Sequence, residues 1–177
     1  MKPRSWNGFV YIGTSVDGMI ARPDGSLEWL ISRGEAAGDA GYGEFAQGID
    51  TMLIGRSTYE VALSFDGWAY QGKRVLVLST TLDPDADDRI TVVRDLDTAR
   101  RVLDEVGARG VYVDGGRTIQ ACLAADLIDE MTISQVPVVI GAGARLFGDL
   151  PADIPLEHIS TEVLGGGMVQ SRYRIIR

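Results

Sequence analysis

The hydrophobic and polar positions along the chain form short apolar runs and longer amphipathic segments. The run Arg74–Leu78 is almost wholly apolar, which is typical of a strand covered on both faces of a parallel sheet. Residues 96–106 instead place apolar or small side chains at helical spacing. The predicted strands are 9–13, 51–54, 74–78, 90–93, 110–113, 131–140, 157–164 and 168–176, and the predicted helices are a short one near Leu27, then 35–47, 56–63, 96–106 and 117–127.

The order of these elements predicts an α/β fold. Strands and helices alternate in the first part of the chain, which implies crossovers between parallel strands. Three consecutive glycines, 165–167, separate the last two strands and indicate a hairpin, which adds an antiparallel edge. Pro137 interrupts the run 131–140, so we expect that strand to bend or to lie at an edge there. No repeat or linker divides the chain, and we expect one domain over residues 1–177.

Composition narrows the classes of function. The chain has 177 residues, 45% of them apolar, which suffices for one well-buried domain. Its net charge of −8 argues against binding nucleic acid or an anionic membrane, since both need a basic face. Cys122 and His158 are the only residues of their types, so we expect neither a disulfide framework nor a metal site. No apolar leader follows Met1–Gly8 and no 18-residue apolar run exists, so we expect a soluble cytoplasmic protein.

Four short loops rich in Gly, Ser and Thr follow predicted strands, at once or within a residue or two. In a single sheet they can place hydroxyls, backbone N–H groups and arginines along one edge, as an extended phosphate-bearing cofactor requires. Gly141-Ala142-Gly143 does not complete the usual dinucleotide fingerprint, because the third glycine is misplaced, no second strand ending in an acid follows, and the motif comes late in the chain. The sequence therefore predicts a dinucleotide enzyme of another kind. The four loops are Ser15–Gly18, Gly55–Thr58, Ser79–Thr81 and Asp114–Thr118.

Each of these loops also has a purely structural interpretation. Gly55–Thr58 begins a helix after a strand, so it is either a phosphate cradle with Arg56 or an ordinary Ser/Thr cap. Gly115 and Gly116 either let a ligand approach the backbone or allow tight packing of helix on strand. The hydroxyls of Ser79–Thr81 either bind ribose or phosphate, or cap a turn.

Three acids lie at or near the predicted cleft. Asp17 is either the acid that relays a proton or the former of an Asp-Gly turn. Glu28 adjoins a tryptophan, so it is either a proton donor with a raised pKa or a surface helix residue. Asp114 ends an apolar strand, where a carboxylate is costly unless it is partnered, solvated or functional. Trp68 and Tyr70 either cover a ring-shaped substrate or form a small apolar cluster.

Five segments of the chain, spread from its first strand to its last third, also match a known pattern. They resemble the dihydrofolate reductase-like superfamily, and within it the reductase domain of the riboflavin-biosynthesis deaminase–reductase. The resemblance implies a three-layer fold with a central, mostly parallel eight-stranded sheet and an antiparallel C-terminal hairpin. The matching segments are Ser15–Ala21, Leu27–Leu30, Leu53–Glu60, Val113–Gly116 and Leu127–Glu130.

The resemblance further implies NADPH as the cofactor. It places Gly13 and Ile20 beside the nicotinamide and Ser79 and Thr80 near the adenosine ribose and its 2′-phosphate. The residues expected to hold the cofactor phosphates are Gly55, Arg56, Ser57, Thr58, Gly115, Gly116, Arg117 and Thr118. As catalytic residues we expect Asp17 and, in reserve, Glu28, and as substrate-binding residues Asp114, Trp29 and Ser15.

The predicted function is therefore an NADPH-dependent reductase. It delivers hydride to a C=N or carbonyl carbon of a heterocycle-bearing small molecule, with 5-amino-6-(5-phosphoribosylamino)uracil as the first candidate. Relatives of this kind are commonly dimers, so we expect a homodimer. Reduction of dihydrofolate or a pterin is disfavoured because Ser26 stands where those enzymes carry a buried acid, leaving Asp24 or Glu28 displaced. Two further possibilities are a regulatory module that binds NADPH without turnover and a dimer module that has lost the cofactor.

Overall fold

A sheet of eight strands forms the centre of the molecule, seen in a computed structural model that describes residues 4–177. The strand order is β5-β4-β3-β6-β1-β7-β10-β9. The first six of these strands are parallel, and β10 is antiparallel to both β7 and β9. The strands are β1 (Asn7–Ser15), β2 (Met19–Ala21), β3 (Thr51–Gly55), β4 (Arg74–Leu78), β5 (Thr91–Val93), β6 (Gly110–Asp114), β7 (Glu130–Val136), β8 (Ala144–Arg145), β9 (Leu156–Val163) and β10 (Val169–Ile175), of which β2 and β8 form a separate small sheet.

Helices cover both faces of the central sheet and complete three layers. On one face, Leu103 of the fourth helix and Ile119 of the fifth belong to the larger apolar core. On the other face, Tyr59 of the third helix and Phe45 of the second pack in a second core. The helices are α1 (Glu28–Gly34), α2 (Tyr42–Gln47), α3 (Arg56–Leu63), α4 (Leu96–Glu105) and α5 (Gly116–Ala124), with 3-10 turns at Glu35–Ala37 and Gly165–Gly167.

This architecture confirms the predicted fold class, and the departures from the predicted elements have local causes. The expected helix over 35–47 is wrong: Gly38 and Gly41 adopt φ of 66° and 82°, which a helix cannot contain, so only a 3-10 turn and α2 form. The strand expected over 131–140 ends at Val136, directly before Pro137. The strands β2 and β8 have no counterpart in the predicted elements, because two or three residues are too few to show an apolar pattern.

The central sheet opens between β1 and β6. Their ladder has three residue pairs, from Asn7↔Gly110 to Phe9↔Tyr112. Beyond it, β1 stays paired with β7 as far as Ser15, and β6 stays paired with β3 as far as Asp114. The hydroxyl of Tyr112 donates to the carbonyl of Tyr11 at 2.6 Å, so a side chain bridges the two strands past the end of their ladder. The carboxyl ends of two central strands thus flank an opening at the edge of the sheet.

The predicted single domain spans residues 1–177, of which residues 1–3 lie outside the described residues. That residues 1–177 form one domain stays a prediction. Within residues 4–177, none of the helices combines the length and apolar character needed to cross a membrane.

Candidate functional site

The loops after β3 and β6 are in direct contact at the carboxyl edge of the sheet. A Cβ atom added to Gly55 would stand 2.8 Å from Oγ1 of Thr118, and one added to Gly115 would stand 2.6 Å from Oγ1 of Thr58. Gly115 also adopts a φ of 97°, which side chains rarely allow. Both glycines are therefore required for packing, and this contact makes α3 and α5 begin side by side.

These two helices begin without side-chain caps. Gly55 and Gly115 are their cap residues, and in neither helix does the side chain of a cap residue accept a backbone N–H. By contrast, the Asp95 carboxylate caps α4 by accepting the N–H of Thr98 at 2.7 Å. The N–H groups of a first helical turn have no partner within the helix, and the helix dipole makes that end positive. Two such ends in contact fit an anion with two phosphate groups.

The side chains around the starts of α3 and α5 differ in their exposure to solvent. Ser57 and Arg117 are exposed, and Thr58 is half-buried. Thr118 is buried, and its hydroxyl packs on Gly55, so this side chain serves the contact between the loops. Packing thus explains Gly55, Gly115 and Thr118, while the backbone N–H groups and the exposed side chains are available to a ligand.

Two arginines flank the turn that follows β4. Arg56 donates to the hydroxyl of Thr81 at 2.9 Å and forms an ion pair with Glu60 at 2.7 Å. Arg94, which follows β5 directly, donates to the carbonyls of Ser79 and Leu82, both at 2.8 Å. Arg94 is absent from the residues predicted from the sequence, although its position at the end of a strand is the same signal that revealed the other loops. Two guanidinium groups at one turn suit a phosphate monoester.

The hydroxyls of the same turn have unequal roles. Ser79 is buried, and its Oγ accepts the backbone N–H groups of Thr81 and Leu82 at 3.3 and 3.0 Å. It therefore caps the turn, as the structural interpretation of this loop expects. Thr80 is exposed and can reach a ligand.

The predicted nicotinamide neighbours lie beside the opening in the sheet. Gly13 lies under α1, because an added Cβ would meet Cδ1 of Leu30 at 2.5 Å. Ile20 lies against the double glycine, with its Cδ1 3.1 Å from the Cβ position of Gly116. The two residues thus approach the cofactor edge from β1 and β2.

Asp17 is bound to the backbone of a distant loop. Its carboxylate accepts the N–H groups of Ile140 and Gly141 at 3.1 and 2.8 Å. The Ser15 hydroxyl and these backbone donors lower the pKa of Asp17 to about 2. The carboxylate is therefore ionised at neutral pH and holds the loop at 140–141, and the expectation that Asp17 relays a proton stays a prediction. Ser15 is fully buried and its Oγ accepts the N–H of Met19 at 2.9 Å, so its side chain supports this turn, and its contact with substrate stays a prediction.

The two residues of the predicted pair, Glu28 and Trp29, differ in burial. Glu28 is exposed at the start of α1, which matches its interpretation as a surface helix residue. Trp29 is buried in a small core with Val136 and Met168, and its Nε1 has no hydrogen-bond partner there. Trp29 therefore supports α1 on the sheet, and its contact with substrate stays a prediction.

Asp114 is the acid that the structure places at the opening. It ends β6, and Gly115 N–H donates to its Oδ1 at 2.8 Å. Burial outweighs that hydrogen bond and raises the pKa of Asp114 to about 6. A carboxyl group with this pKa exists in both protonation states near neutral pH, which is the property required of a proton donor.

Three tyrosines interact electrostatically with this carboxyl group. Burial, together with the negative charge of Asp114, raises the pKa of Tyr42, Tyr70 and Tyr112, so their phenols stay neutral. The rings of Tyr42 and Tyr112 lie 6.4 Å apart, edge to face. Of these three tyrosines, only Tyr70 is predicted from the sequence as a possible substrate contact. Tyr42 and Tyr112 come from separate segments that only the fold brings together. The arrangement offers an aromatic surface next to one titratable acid.

Solved structures of low sequence identity share this fold. Dihydrofolate reductase from Enterococcus faecalis, complexed with NADP(H), superimposes with a TM-score of 0.72 at 14% identity, covering 98% of this chain and 99% of that one. A diaminohydroxyphosphoribosylaminopyrimidine deaminase/5-amino-6-(5-phosphoribosylamino)uracil reductase from Thermotoga maritima gives a TM-score of 0.73 at 14% identity. The match covers 97% of this chain and 57% of the Thermotoga chain. At these identities, the likeness shows the dihydrofolate reductase-like fold alone.

Sequence relatives show the family. The protein YwjB of Bacillus subtilis strain 168, whose activity is uncharacterised, is 36% identical over 159 residues, or 88% of this chain and 91% of YwjB. A solved structure from Shewanella sp. PV-4, provisionally described as a riboflavin biosynthesis protein, is 37% identical with a TM-score of 0.87, covering 97% and 99% of the two chains. The family model of the RibD C-terminal domain matches residues 8–170. The chain therefore belongs to the RibD C-terminal domain family.

Proposed function

We propose that the protein is an NADPH-dependent reductase that transfers hydride to a heterocycle-bearing small molecule. The observation that carries the proposal is the pair of uncapped helix starts at Gly55 and Gly115, in contact beside the opening between β1 and β6. Membership of a family named for a reductase-bearing protein supports it. Pyrophosphate binding at the helix starts would leave the opening free for the reactive ring.

Placing the pyrophosphate at the two helix starts identifies the residues that would bind the cofactor. The backbone at Gly55–Thr58 and at Gly115–Arg117 would hold the pyrophosphate. Arg56 and Arg94, on either side of the turn after β4, would favour a 2′-phosphate and so NADPH over NADH. When bound, the cofactor supplies a hydride, which carries two electrons. Ile20, which lies against Gly116, would close this site toward β2.

Asp114 would complete the reduction on the acceptor side. A C=N or C=O group that gains a hydride at carbon needs one proton at nitrogen or oxygen. Asp114 can donate that proton, since its pKa of about 6 keeps a protonated fraction available, whereas Asp17 is held ionised. The neutral phenols of Tyr42 and Tyr70 would contact the heterocycle. The proposed proton donor is thus Asp114, in place of Asp17 or Glu28.

Two classes of acceptor are suggested by proteins that share this fold. The name of the Thermotoga neighbour includes reduction of 5-amino-6-(5-phosphoribosylamino)uracil, which makes that compound the first to assay and riboflavin biosynthesis the first pathway to consider. A dihydropterin or dihydrofolate acceptor is the second, motivated by the fold shared with the Enterococcus enzyme. A regulatory module without turnover would bind NADPH but would not oxidise it with either class of acceptor. A cytoplasmic location also belongs to this proposal, and the buried free thiol of Cys122 is consistent with it.

A homodimer through β9 is part of the same proposal. All eight residues of β9 are exposed, and the strand is the edge of the sheet. Its outward N–H and C=O groups are available to another strand. Leu156, Ile159 and Val163 on it are 39%, 36% and 74% exposed. A second copy of β9 supplies matching hydrogen-bonding groups and apolar side chains, and so would cover this edge.

Cofactor binding can be tested with a charge placed at the paired helix starts. Ser57→Asp puts a carboxylate in the first turn of α3, where the helix dipole favours it, so the fold should be retained. The same carboxylate should repel the cofactor phosphates and weaken NADPH binding by about tenfold or more. Titration calorimetry measures this, and NADPH at roughly 100-fold over Kd should stabilise the wild type by about 2.7 kcal/mol. Ser57→Ala is the matched control and should bind nearly as wild type; equal affinity for the Asp variant would contradict the site.

The role of Asp114 predicts a pH profile. Turnover with an accepted substrate should fall as pH rises through about 6, because the protonated carboxyl is lost. Asp114→Asn should lower kcat/KM by about 10²–10⁴-fold and remove this limb. The raised pKa also means that ionisation costs stability as pH rises from about 4 to about 6, so the Asn variant should gain about 1–3 kcal/mol at pH 8 and little near pH 3. Denaturant unfolding checks that part, and full turnover by Asp114→Asn would refute the assignment.

The dimer proposal predicts the effect of a charge on the edge strand. Ile159→Lys should convert the dimer to a monomer in light-scattering measurements of mass, because it places a charge in the apolar part of β9. Val139→Lys, in the loop after β7, replaces an apolar side chain that is 68% exposed and should leave the mass unchanged. A wild-type chain that is monomeric at about 100 µM would contradict the proposal.

A further inference from the structure

The turn that leads into α2 has a strained residue at its centre. Ala40 adopts a φ of 52°, in the left-handed region that a residue with a side chain rarely occupies. Gly41 follows with a φ of 82° and begins α2. The Asp39 carboxylate accepts the N–H groups of Gly41 and Gly43, both at 3.0 Å, and so joins this turn to the helix. The position of Ala40 therefore sets the position of the first turn of α2.

Two side chains of the central sheet bind the carbonyl of Ala40. The hydroxyl of Tyr11, on β1, donates to it, and the amide of Gln170, on β10, donates to it at 3.0 Å. The same amide nitrogen donates to the Tyr11 hydroxyl at 3.0 Å and to Oγ of Ser134, on β7, at 2.8 Å. Gln170 and Ser134 are both buried, so water competes little for these hydrogen bonds. Because a strained backbone persists only where its surroundings fix it, these donors keep the turn in place.

The first turn of α2 packs where the ladder of β1 and β6 ends. The ring centroid of Tyr42 lies 5.7 Å from that of Tyr11 on β1 and 6.4 Å from that of Tyr112 on β6. The Phe45 ring lies 4.7 Å from the Tyr11 ring and 5.2 Å from the Tyr112 ring. Side chains two residues apart on a strand share a face, so Tyr112 and Asp114 lie on the same face of β6. The start of α2 therefore lies beside the opening, on the face of the sheet that carries Asp114.

We propose that Gln170 is a positioning residue for the acceptor: by binding the carbonyl of Ala40, it keeps Tyr42 beside the opening between β1 and β6. The inference rests on the proposed function and deepens it, since the acceptor would bind at this opening. The partners of the Gln170 amide lie on β1, on β7 and in the turn before α2, whereas the loops that would bind the cofactor lead into α3 and α5. Loss of the amide should therefore impair binding of the acceptor and leave binding of the cofactor unchanged.

Gln170→Met tests the inference, because methionine is similar in size and has no hydrogen to donate. The ring signals of Tyr42 in ¹H–¹³C NMR spectra, assigned with Tyr42→Phe, report the position of this ring beside those of Tyr11 and Tyr112. In Gln170→Met they should move toward the shifts of an exposed tyrosine, whereas a variant that only lost stability would keep the wild-type shifts while folded. Tyr11→Phe keeps the ring, removes the other donor to Ala40 and should move the same signals if Gln170→Met does not fold. Unchanged Tyr42 signals in the folded variant would overturn the inference.

Two further variants separate the effect on Ala40 from a general effect of substitution. Ser171→Ala is the matched control: Ser171 is the next residue of β10, its hydroxyl lies 2.9 Å from that of Thr161, and its loss should leave the Tyr42 signals unchanged. Ala40→Gly, added to Gln170→Met, should restore the wild-type signals, because glycine adopts a positive φ without strain. A double variant no closer to the wild type than Gln170→Met would also overturn the inference.

Binding and turnover show which ligand depends on Gln170. In Gln170→Met, the Kd of NADP⁺ should change by less than about twofold, while the KM for 5-amino-6-(5-phosphoribosylamino)uracil should rise by about fivefold or more, with a smaller change in kcat. An unchanged KM, or a Kd of NADP⁺ that rises as much as the KM, would contradict the role assigned to Gln170. A wild type that binds no NADP⁺ or reduces no acceptor would count against the proposed function, while the Tyr42 signals would still decide whether Gln170 positions α2.

Discussion

The contact between the loops after β3 and β6 is the constraint on which the site depends. Glycines at 55 and 115 let the hydroxyls of Thr118 and Thr58 occupy the space of the missing side chains. Two adjacent parallel strands can then feed two helices whose first turns begin together. Because neither helix has a side-chain cap, the contact that packs the fold also concentrates backbone donors at one point. Structural and binding interpretations of these glycines are therefore complementary.

The opening of the sheet gives the second half of the site. Ending the β1–β6 ladder after three pairs leaves the upper half of β1 without its partner on that side. The end of β6 then carries Asp114 into buried surroundings, and burial raises its pKa to about 6. Such a carboxyl costs stability when it ionises, which is common for a functional group held ready for proton transfer. Asp114 ends β6, the strand that leads into α5, so cofactor and acceptor would meet at the carboxyl ends of β3 and β6.

The eight-stranded sheet and its edge loops could be predicted from the sequence because apolar strands and the loop residues that follow them are local features. The roles of the acidic residues were harder to predict from the sequence than the strands and loops. Asp17 binds N–H groups at 140 and 141, more than 120 residues away, and no local pattern reveals that partner. The position of Asp114 at the end of an apolar strand marks it as costly, yet two of the tyrosines that interact with it, Tyr42 of α2 and Tyr70 before β4, are distant in sequence. The helix expected over 35–47 does not form because Gly38 and Gly41 adopt positive φ, and the pattern of apolar residues carries no information about φ at a glycine.

The central claim is that a dinucleotide pyrophosphate binds between the starts of α3 and α5. The most direct measurement is the change in backbone amide shifts in ¹⁵N NMR spectra as NADP⁺ is added. We expect the largest changes on Arg56, Ser57 and Thr58 and on Gly116 and Arg117, while amides of β9 stay unchanged. Shifts that cluster away from both helix starts, or no saturable change at all, would contradict the claim.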